Sequence, residues 1–216
     1  MPPSQYIRPT VWVPPAVSPV LAPQPQIAPS IPPTHVVDLM TDAGAAAFGA
    51  VWRGKEAKLV ECPALTNSLP EFKTAYDVEP RAELAGFDDS DWQIIPPADL
   101  AAKRGGGLVC FFWYRATLTI PPNAAGFDTA GAKAVFRVNV DDYAEVWING
   151  AMPRTPGRPS PAAIQGFNMP NRVVLGDNTV SPGDRFEIAV FGINGPISAA
   201  PGNFLFVREA KVEFFR

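Results

Sequence analysis

Apolar and polar residues alternate along several short segments of this 216-residue chain, and this period-two pattern most constrains its fold. Successive side chains of a β-strand point to opposite faces, so the alternation predicts strands with one buried face. Gly, Pro and Asn separate these segments and favour tight turns, which predicts an all-β, antiparallel sandwich. The clearest predicted strands are residues 110–120, 134–140, 143–148, 184–191 and 204–215.

The alternation also predicts which side chains share a buried face. These are Phe112, Tyr114, Ala116, Leu118 and Ile120 in the first strand, Phe136, Val138 and Val140 in the second, Phe186, Ile188 and Val190 in the fourth, and Ala210, Val212 and Phe214 in the last. Residues 41–50 predict a short helix capped by Thr41 or Asp42 and ended at Gly49. Residues 50–62 predict one or two strands around a turn at Gly54.

The first 34 residues differ from the rest of the chain: eleven are Pro, and Arg8 is their only charged residue. Dense Pro fixes φ and removes N–H donors, which predicts an extended, polyproline-like arm over residues 1–35 and a body over residues 36–216. Solvated tails are usually rich in charge, whereas this arm is apolar. We therefore expect it to bind a protein partner, through Tyr6, Ile7, Arg8, Val11, Trp12, Val13, Val20 and Leu21.

Composition excludes several classes of function. The formal net charge of −3 supplies no basic surface for a nucleic-acid backbone. No apolar run is long enough to span a bilayer directly, and the N-terminus lacks the basic and apolar regions of a secretory signal. We expect a cytoplasmic protein, in contact with a membrane only through a membrane-bound complex. The two cysteines, Cys62 and Cys110, lie among apolar residues and are expected to be buried free thiols.

The segment "VDDYAEVWINGAMP", residues 140–153, places Asp141 beside Asp142 and resembles an acid/base pair. Adjacent strand residues face opposite ways, so the two carboxyls are not expected to share one pocket. We expect a turn between the two flanking strands, with the Asp side chains bonded to local backbone N–H groups. Asn149-Gly150 is a strong signal for a two-residue hairpin.

Other catalytic and metal-binding patterns are weak. His35 is the only histidine; no Gly-x-Ser-x-Gly turn accompanies it, and a solvated residue between arm and body is expected. His and Cys are too few for a zinc site, and the glycines 105–107 precede a strand, which argues against a phosphate-binding loop. Asp88, Asp89 and Asp91 leave a calcium site open, although a turn capped by Asp88 or Ser90, with Trp92 in the core, is favoured. No catalytic residue, metal or cofactor is predicted.

Four segments occur in an order that resembles a known domain: "GFDDSDW" at 86–92, "FWYRATLTIP" at 112–121, "VDDYAEVWING" at 140–150 and "DRFEIAVFGIN" at 184–194. The order resembles the galactose-binding-like jelly-roll domain of β-galactosidase and β-glucuronidase type glycoside hydrolases. It resembles more closely the domain that precedes the propeller in some gluconolactonase (senescence marker protein) family proteins. The resemblance covers residues 36–216 and implies a jelly-roll sandwich, whereas the lactonase propeller has no counterpart in these residues.

A sugar site on such a sandwich needs an aromatic platform beside polar side chains. Loops expected to meet at one end of the sandwich supply the candidates Trp147, Arg154, Asn168, Asn171, Arg172 and Asn194. Trp147 equally fits a core position, and the asparagines equally fit turns.

Three hypotheses of function follow. The first is a non-enzymatic accessory subunit that docks through its arm and sandwich surface onto subunits of a larger assembly, such as a membrane-bound respiratory or photosynthetic complex. The second is a carbohydrate-binding module. The third is an accessory domain of a lactonase or glycosidase system.

Overall fold

The computed structural model describes residues 27–63, 74–153, 163–166, 169–195 and 203–216. Its regular elements, in chain order, are β1 (His35–Asp38), α1 (Asp42–Ala47), β2 (Arg53–Pro63), β3 (Thr74–Glu79), β4 (Gln93–Ile94), β5 (Cys110–Thr119), β6 (Asn123–Ala124), β7 (Phe127–Asp128), β8 (Lys133–Asp141), β9 (Tyr143–Ile148), β10 (Ile164–Gly166), β11 (Asn171–Leu175), β12 (Arg185–Asn194) and β13 (Phe206–Phe215). Two 3₁₀ turns lie between β4 and β5, at Pro97–Ala101 and Gly105–Gly107.

Two antiparallel sheets form the sandwich. The smaller sheet has the strand order β1-β13-β8-β11, and the larger one the order β10-β9-β12-β5-β2-β3, with β4 paired to β2. The predicted antiparallel β-sandwich is therefore confirmed. Described helix is limited to α1 and the two 3₁₀ turns, which keeps both outer faces accessible to other segments.

The core lies between the two sheets and uses the faces that the alternation predicts. Every side chain predicted to face inward on β5, β8, β12 and β13 belongs to the main cluster of buried residues. Tyr114, Phe136 and Phe214 are the largest of these that are fully buried, each at most 1% exposed. Full burial of such a side chain stabilises the fold by roughly 1.5–3 kcal/mol, so the inward faces hold the sheets together.

The local signals at α1 and at the hairpin are confirmed. Thr41 caps α1: its Oγ1 accepts a hydrogen bond from the Gly44 N–H at 3.0 Å. At the hairpin Asn149 and Gly150 both have positive φ, 51° and 78°, which is the backbone of a type I′ turn. The Ile148 and Ala151 backbones exchange hydrogen bonds of 2.8 and 3.0 Å across it.

The turn predicted at Gly54 is wrong. β2 runs without a break through this residue, which pairs with Tyr114 on one side and Gln93 on the other. A Cβ at position 54 would overlap the Phe112 ring and lie 2.5 Å from Cδ1 of Ile95. The glycine is therefore required by close packing inside a strand.

The end of the arm lies on the outer face of the smaller sheet. Ala28 packs against Val135, Val174 and Phe215, and the Pro29 carbonyl accepts a hydrogen bond from Arg172 Nη1 at 2.9 Å. From β11 at one edge the chain crosses to β1 at the other, where the Thr34 N–H donates to the Phe214 carbonyl. The described end of the arm thus packs on the body of its own chain.

Two expectations about single residues are corrected. His35 was expected to be a solvated residue between the arm and the body. It is instead half-buried, because it belongs to β1, and its ring stacks on Phe127 with the ring centroids 5.2 Å apart. Cys62 and Cys110 are free thiols, but they are half-buried, because each lies near the end of a strand. Burial raises the pKa of the Cys110 thiol.

Candidate functional site

The six predicted sugar-binding residues do not form one cluster. Arg154 and Asn168 lie outside the described residues, as do the eight predicted contact residues of the arm. Asn171 and Asn194 are buried, at 0% and 1% exposure. Their amides donate to backbone carbonyls, Asn171 to Ala144 at 3.2 Å and Asn194 to Leu108 at 2.7 Å. Both side chains therefore tie strands together inside the protein, where a sugar has no access.

Trp147 and Arg172 lie on opposite outer faces of the sandwich. Trp147 is half-buried on the larger sheet and packs on Trp113, with ring centroids 5.5 Å apart. On the smaller sheet Arg172 donates to Glu213 Oε2 from Nη2 at 2.7 Å and from Nε at 3.1 Å. Both residues lie within strands and not in the loops that had been expected. Their neighbours along the strand face the core, so Trp147 and Arg172 face outward.

Asp141 and Asp142 do meet, against the sequence expectation. A cis peptide bond joins them, and the Asp142 carboxyl lies close enough to Asp141 to act on its pKa. Burial of Asp141 raises its pKa, the neighbouring Asp142 carboxyl adds to this, and Arg208 opposes it through a 2.6 Å hydrogen bond to Asp141 Oδ2.

The Asp pair fixes a corner of the sandwich. Asp142 Oδ2 accepts hydrogen bonds from Asn203 Nδ2 at 2.6 Å and from the Gly195 N–H at 3.2 Å. These contacts link the β8–β9 corner to the ends of the segment between β12 and β13, whereas bonds to neighbouring backbone were expected. A glycosidase pair holds its carboxyls about 5–10 Å apart with the sugar between them. Here protein donors occupy both carboxyls: Arg208 binds Asp141, and Asn203 and Gly195 bind Asp142.

Two of the three aspartates in residues 88–91 have structural contacts. Asp88 Oδ1 accepts a hydrogen bond from the Ser90 N–H at 3.0 Å, and these bonds lower the pKa of Asp88. Asp89 Oδ2 accepts a hydrogen bond from Arg115 Nε at 2.9 Å. Trp92 is 5% exposed. The predicted capped turn with a packed Trp92 is confirmed. No group of His, Cys, Asp and Glu within the described residues suits a metal ion.

A cleft of about 540 Å³ opens beside the start of β2, where β4 and the Gly105 turn approach it. Its lining is Gly54, Lys55, Glu56, Asp91, Trp92, Gln93, Arg104, Gly105 and Phe112. Two cations and two carboxylates occur in this set, so the charges of the lining cancel. A neutral, polar ligand suits such a lining better than a phosphate or a dicarboxylate.

Two polar side chains of the cleft are available for a ligand. Glu56 and Gln93 are both exposed, and neither side chain has a hydrogen-bond or ion-pair partner within the described part of the chain. Glu56 pairs with Phe112 in the ladder, so it lies on the core-facing side of β2, at the point where the sandwich opens. A carboxylate and an amide supply both acceptors and donors, as recognition of sugar hydroxyls requires.

The remaining walls of the cleft are held in place. Arg104 donates to the Ala102 and Asp99 carbonyls at 2.6 and 3.0 Å, and its guanidinium lies 5.1 Å from the centroid of the Phe112 ring. Lys55 Nζ lies 3.4 Å from Asp91 Oδ2 and 5.8 Å from the Trp92 ring centroid. The cleft thus presents fixed aromatic and cationic walls around the two available polar groups.

Sequence reasoning missed these residues. One signal was present: Glu56 occupies a position of the alternating pattern that faces the core, where a charged residue is unusual. Gln93 carried no comparable signal, because only the pairing of β4 with β2, where Gln93 lies opposite Gly54, brings it into the lining of the same cleft.

No protein-family model matches the chain, and no curated protein sequence matches it. Among solved structures, Bacteroides uniformis β-glucuronidase 2 bound covalently to cyclophellitol-6-carboxylate aziridine is 17% identical over 83% of this chain, with a TM-score of 0.48. Faecalibacterium prausnitzii β-glucuronidase is 16% identical over 88% of this chain, with a TM-score of 0.38. TmCBM61 in complex with β-1,4-galactotriose is 12% identical over 76% of this chain, with a TM-score of 0.27.

This chain spans 18% and 32% of the two β-glucuronidases and 88% of TmCBM61. β-Glucuronidases are among the glycoside hydrolases whose jelly-roll domain the four sequence segments resemble. Within the described residues no helix is both long and apolar enough to cross a membrane.

Proposed function

We propose that this chain is a non-catalytic carbohydrate-binding module, and that the cleft beside β2 holds part of a neutral glycan. The observation that carries the proposal is the presence of two available side chains, Glu56 and Gln93, in the lining of one charge-balanced cleft. A volume of about 540 Å³ falls within the usual range of small-ligand sites, roughly 300–1,000 Å³.

The proposal is for binding rather than hydrolysis because of where the carboxylates lie. A carboxylic acid that donates a proton near neutral pH is normally buried in apolar surroundings. Glu56 is exposed, and the Asp91 side chain is 74% exposed and close to Lys55. Within the described residues this cleft therefore has acceptors for sugar hydroxyls but no buried carboxyl to act as the general acid.

Glycan-array screening followed by calorimetry tests the proposal. Replacing Glu56 with Ala removes a charged acceptor, and a hydrogen bond to a charged group contributes about 1.5–3 kcal/mol, so the affinity is expected to fall roughly 10- to 150-fold. Gln93→Ala is expected to weaken binding less, because its amide is neutral. Glu61→Ala, an exposed acid on the same strand, is the matched control and is expected to leave affinity unchanged.

Two results would contradict the proposal. If the protein bound no neutral glycan on the array, the proposal of carbohydrate binding would be refuted. If the Glu56 and Glu61 variants had equal affinity, the cleft would not be the binding site. Release of free sugar from a bound oligosaccharide by the purified chain would refute the non-catalytic role. Docking onto a larger assembly through the arm stays a prediction from its sequence, because residues 1–26 lie outside the described part of the chain.

A further inference from the structure

An apolar strip crosses the outer face of the larger sheet. Ala57, Phe111, Ile193 and Tyr143 are cross-strand partners in one row over β2, β5, β12 and β9. The row continues toward β3 through Leu59, which pairs with Val78, and through Tyr76. We call these seven residues the cross-sheet strip. Leu59 and Tyr76 are 47% and 62% exposed, and Phe111, Ile193, Tyr143 and Val78 are half-buried.

The neighbouring part of the same face is already covered by a segment of the chain. Residues 80–92 lie over the next two rows: Trp113 Nε1 donates to the Pro80 carbonyl at 3.0 Å, and the Gly86 N–H donates to Glu187 Oε2 at 2.8 Å. Beneath this segment Trp113, Phe191 and Ala189 are at most 6% exposed. The cross-sheet strip continues this apolar cluster beyond the part of the face that residues 80–92 cover.

One end of the strip lies near the edge of the smaller sheet on which the described end of the arm packs. The described end of the arm lies over β11, and Asn171 at the start of β11 donates to Ala144 of β9, so this edge of the smaller sheet adjoins β9 of the larger one. Tyr143 precedes Ala144 in β9, so this end of the cross-sheet strip is the one nearest to β11.

The length and composition of the arm fit the strip. Tyr6–Val13 contains eight residues, which span about 25 Å as polyproline II, and the four interstrand steps from β9 to β3 span about 19 Å. The fourteen residues 14–27 reach about 40 Å, more than the ~10 Å spacing between sheets, which allows passage around the edge. With three residues per turn, Tyr6, Pro9 and Trp12 share one side of the segment.

The charges of the arm and of the surroundings of the strip are also complementary. Arg8 is the only charged residue among residues 1–34, while Glu61 on β2 and Glu145 on β9 lie beside the strip and are acidic. Pro in the arm restricts its unfolded ensemble, which reduces the entropy lost on docking.

We infer that residues Tyr6–Val13 dock across the cross-sheet strip of the same chain, with Trp12 toward β9 and Tyr6 toward β3. The arm then wraps the sandwich: its described end covers the smaller sheet and its start covers the larger one. This inference is independent of glycan binding, since the strip and the cleft use different residues.

Chymotryptic cleavage after Trp12 in the full-length protein tests the inference, with intact mass as the readout. Proteolysis follows the population of the open form, so cleavage is expected to be at least about tenfold slower than in a free peptide of residues 1–26. The double variant Leu59→Lys/Tyr76→Lys changes two exposed side chains of the strip and is expected to remove the protection. Ile94→Lys, at a 57% exposed apolar residue outside the strip, is the matched control and should keep it.

Sedimentation at the concentration of the assay distinguishes the occupants of the strip. Protection in a monomer supports docking within one chain. Protection found only in a dimer would overturn the inference in favour of a neighbouring copy. Cleavage as fast as in the free peptide would overturn it in favour of an arm left open for a foreign partner. Protection that survives the Leu59→Lys/Tyr76→Lys change would also overturn it.

Discussion

Glu213 is the centre of the charge network on the smaller sheet, and its replacement by Gln is the most informative stability test. The residue is 3% exposed, and its two carboxylate oxygens accept hydrogen bonds from Arg137 at 3.2 Å and from Arg172 at 2.7 and 3.1 Å. Arg172 in turn binds the Pro29 carbonyl of the arm. Gln keeps the shape of the side chain but removes the charge and one acceptor oxygen.

The expected cost follows from the burial of the partners. Removing one member of a fully buried ion pair costs about 3–5 kcal/mol, whereas exposed pairs contribute about 0–1 kcal/mol. Glu213 is buried, but the Arg137 and Arg172 side chains are 32% and 26% exposed, so water compensates them in part. We therefore expect Glu213→Gln to lower the free energy of unfolding by about 2–3 kcal/mol, which is a fall in Tm of roughly 5–10 °C.

Urea unfolding followed by circular dichroism measures this change. Glu79→Gln removes the same charge from an exposed site of the larger sheet and serves as the control. Hydrogen exchange of residues 28–34 gives a second readout and should accelerate in Glu213→Gln alone, because Arg172 loses the carboxylate that orients it toward Pro29. A difference from the control below about 0.5 kcal/mol would show that the network behaves as a surface network, and the reasoning from burial would be refuted.

Two further predictions concern acid stability and packing. Burial acts to raise the pKa of Glu209, but hydrogen bonds from Arg137 and Lys211 outweigh it and lower this pKa. The resulting stability is fully present above the ordinary glutamate value of 4.5 and is lost as pH falls through the lowered value, so unfolding free energy in acid should fall less steeply in Glu209→Gln than in the wild type. At Gly54 an added methyl would overlap Phe112 and Ile95, so Gly54→Ala should destabilise the protein by about 1–3 kcal/mol in urea unfolding. Gly195→Ala, where an added Cβ meets no atom within 4 Å, is the control, and equal stability of the two variants would contradict the packing argument.

The strands and their buried faces could be predicted because they depend on local periodicity. Phe112, Tyr114 and Leu118 fall on one side of β5 for the geometric reason that strand side chains alternate. Thr41 and Asn149-Gly150 act within a few residues of themselves, so their cap and turn were also visible in the sequence.

Periodicity fails where the outcome depends on which strands become neighbours. Asn171 and Asn194 looked like loop residues, yet each amide bonds a carbonyl of a distant strand or turn. Asp141 and Asp142 were expected to bond local backbone, yet Asp142 accepts hydrogen bonds from Gly195 and Asn203, which lie far along the chain. These contacts depend on how the strands assemble, so the residues near them in the sequence give no sign of them.

The sequence alone determined an antiparallel sandwich preceded by a Pro-rich, apolar segment, because alternation and proline act through the geometry of each residue and its neighbours. The tertiary structure decided where chemistry is concentrated. It places Glu56 and Gln93 in the lining of one cleft, ties Pro29 to Glu213 through Arg172, and lines up the cross-sheet strip over five strands. Register and sheet order carry this information, because they alone bring together residues that lie far apart along the chain.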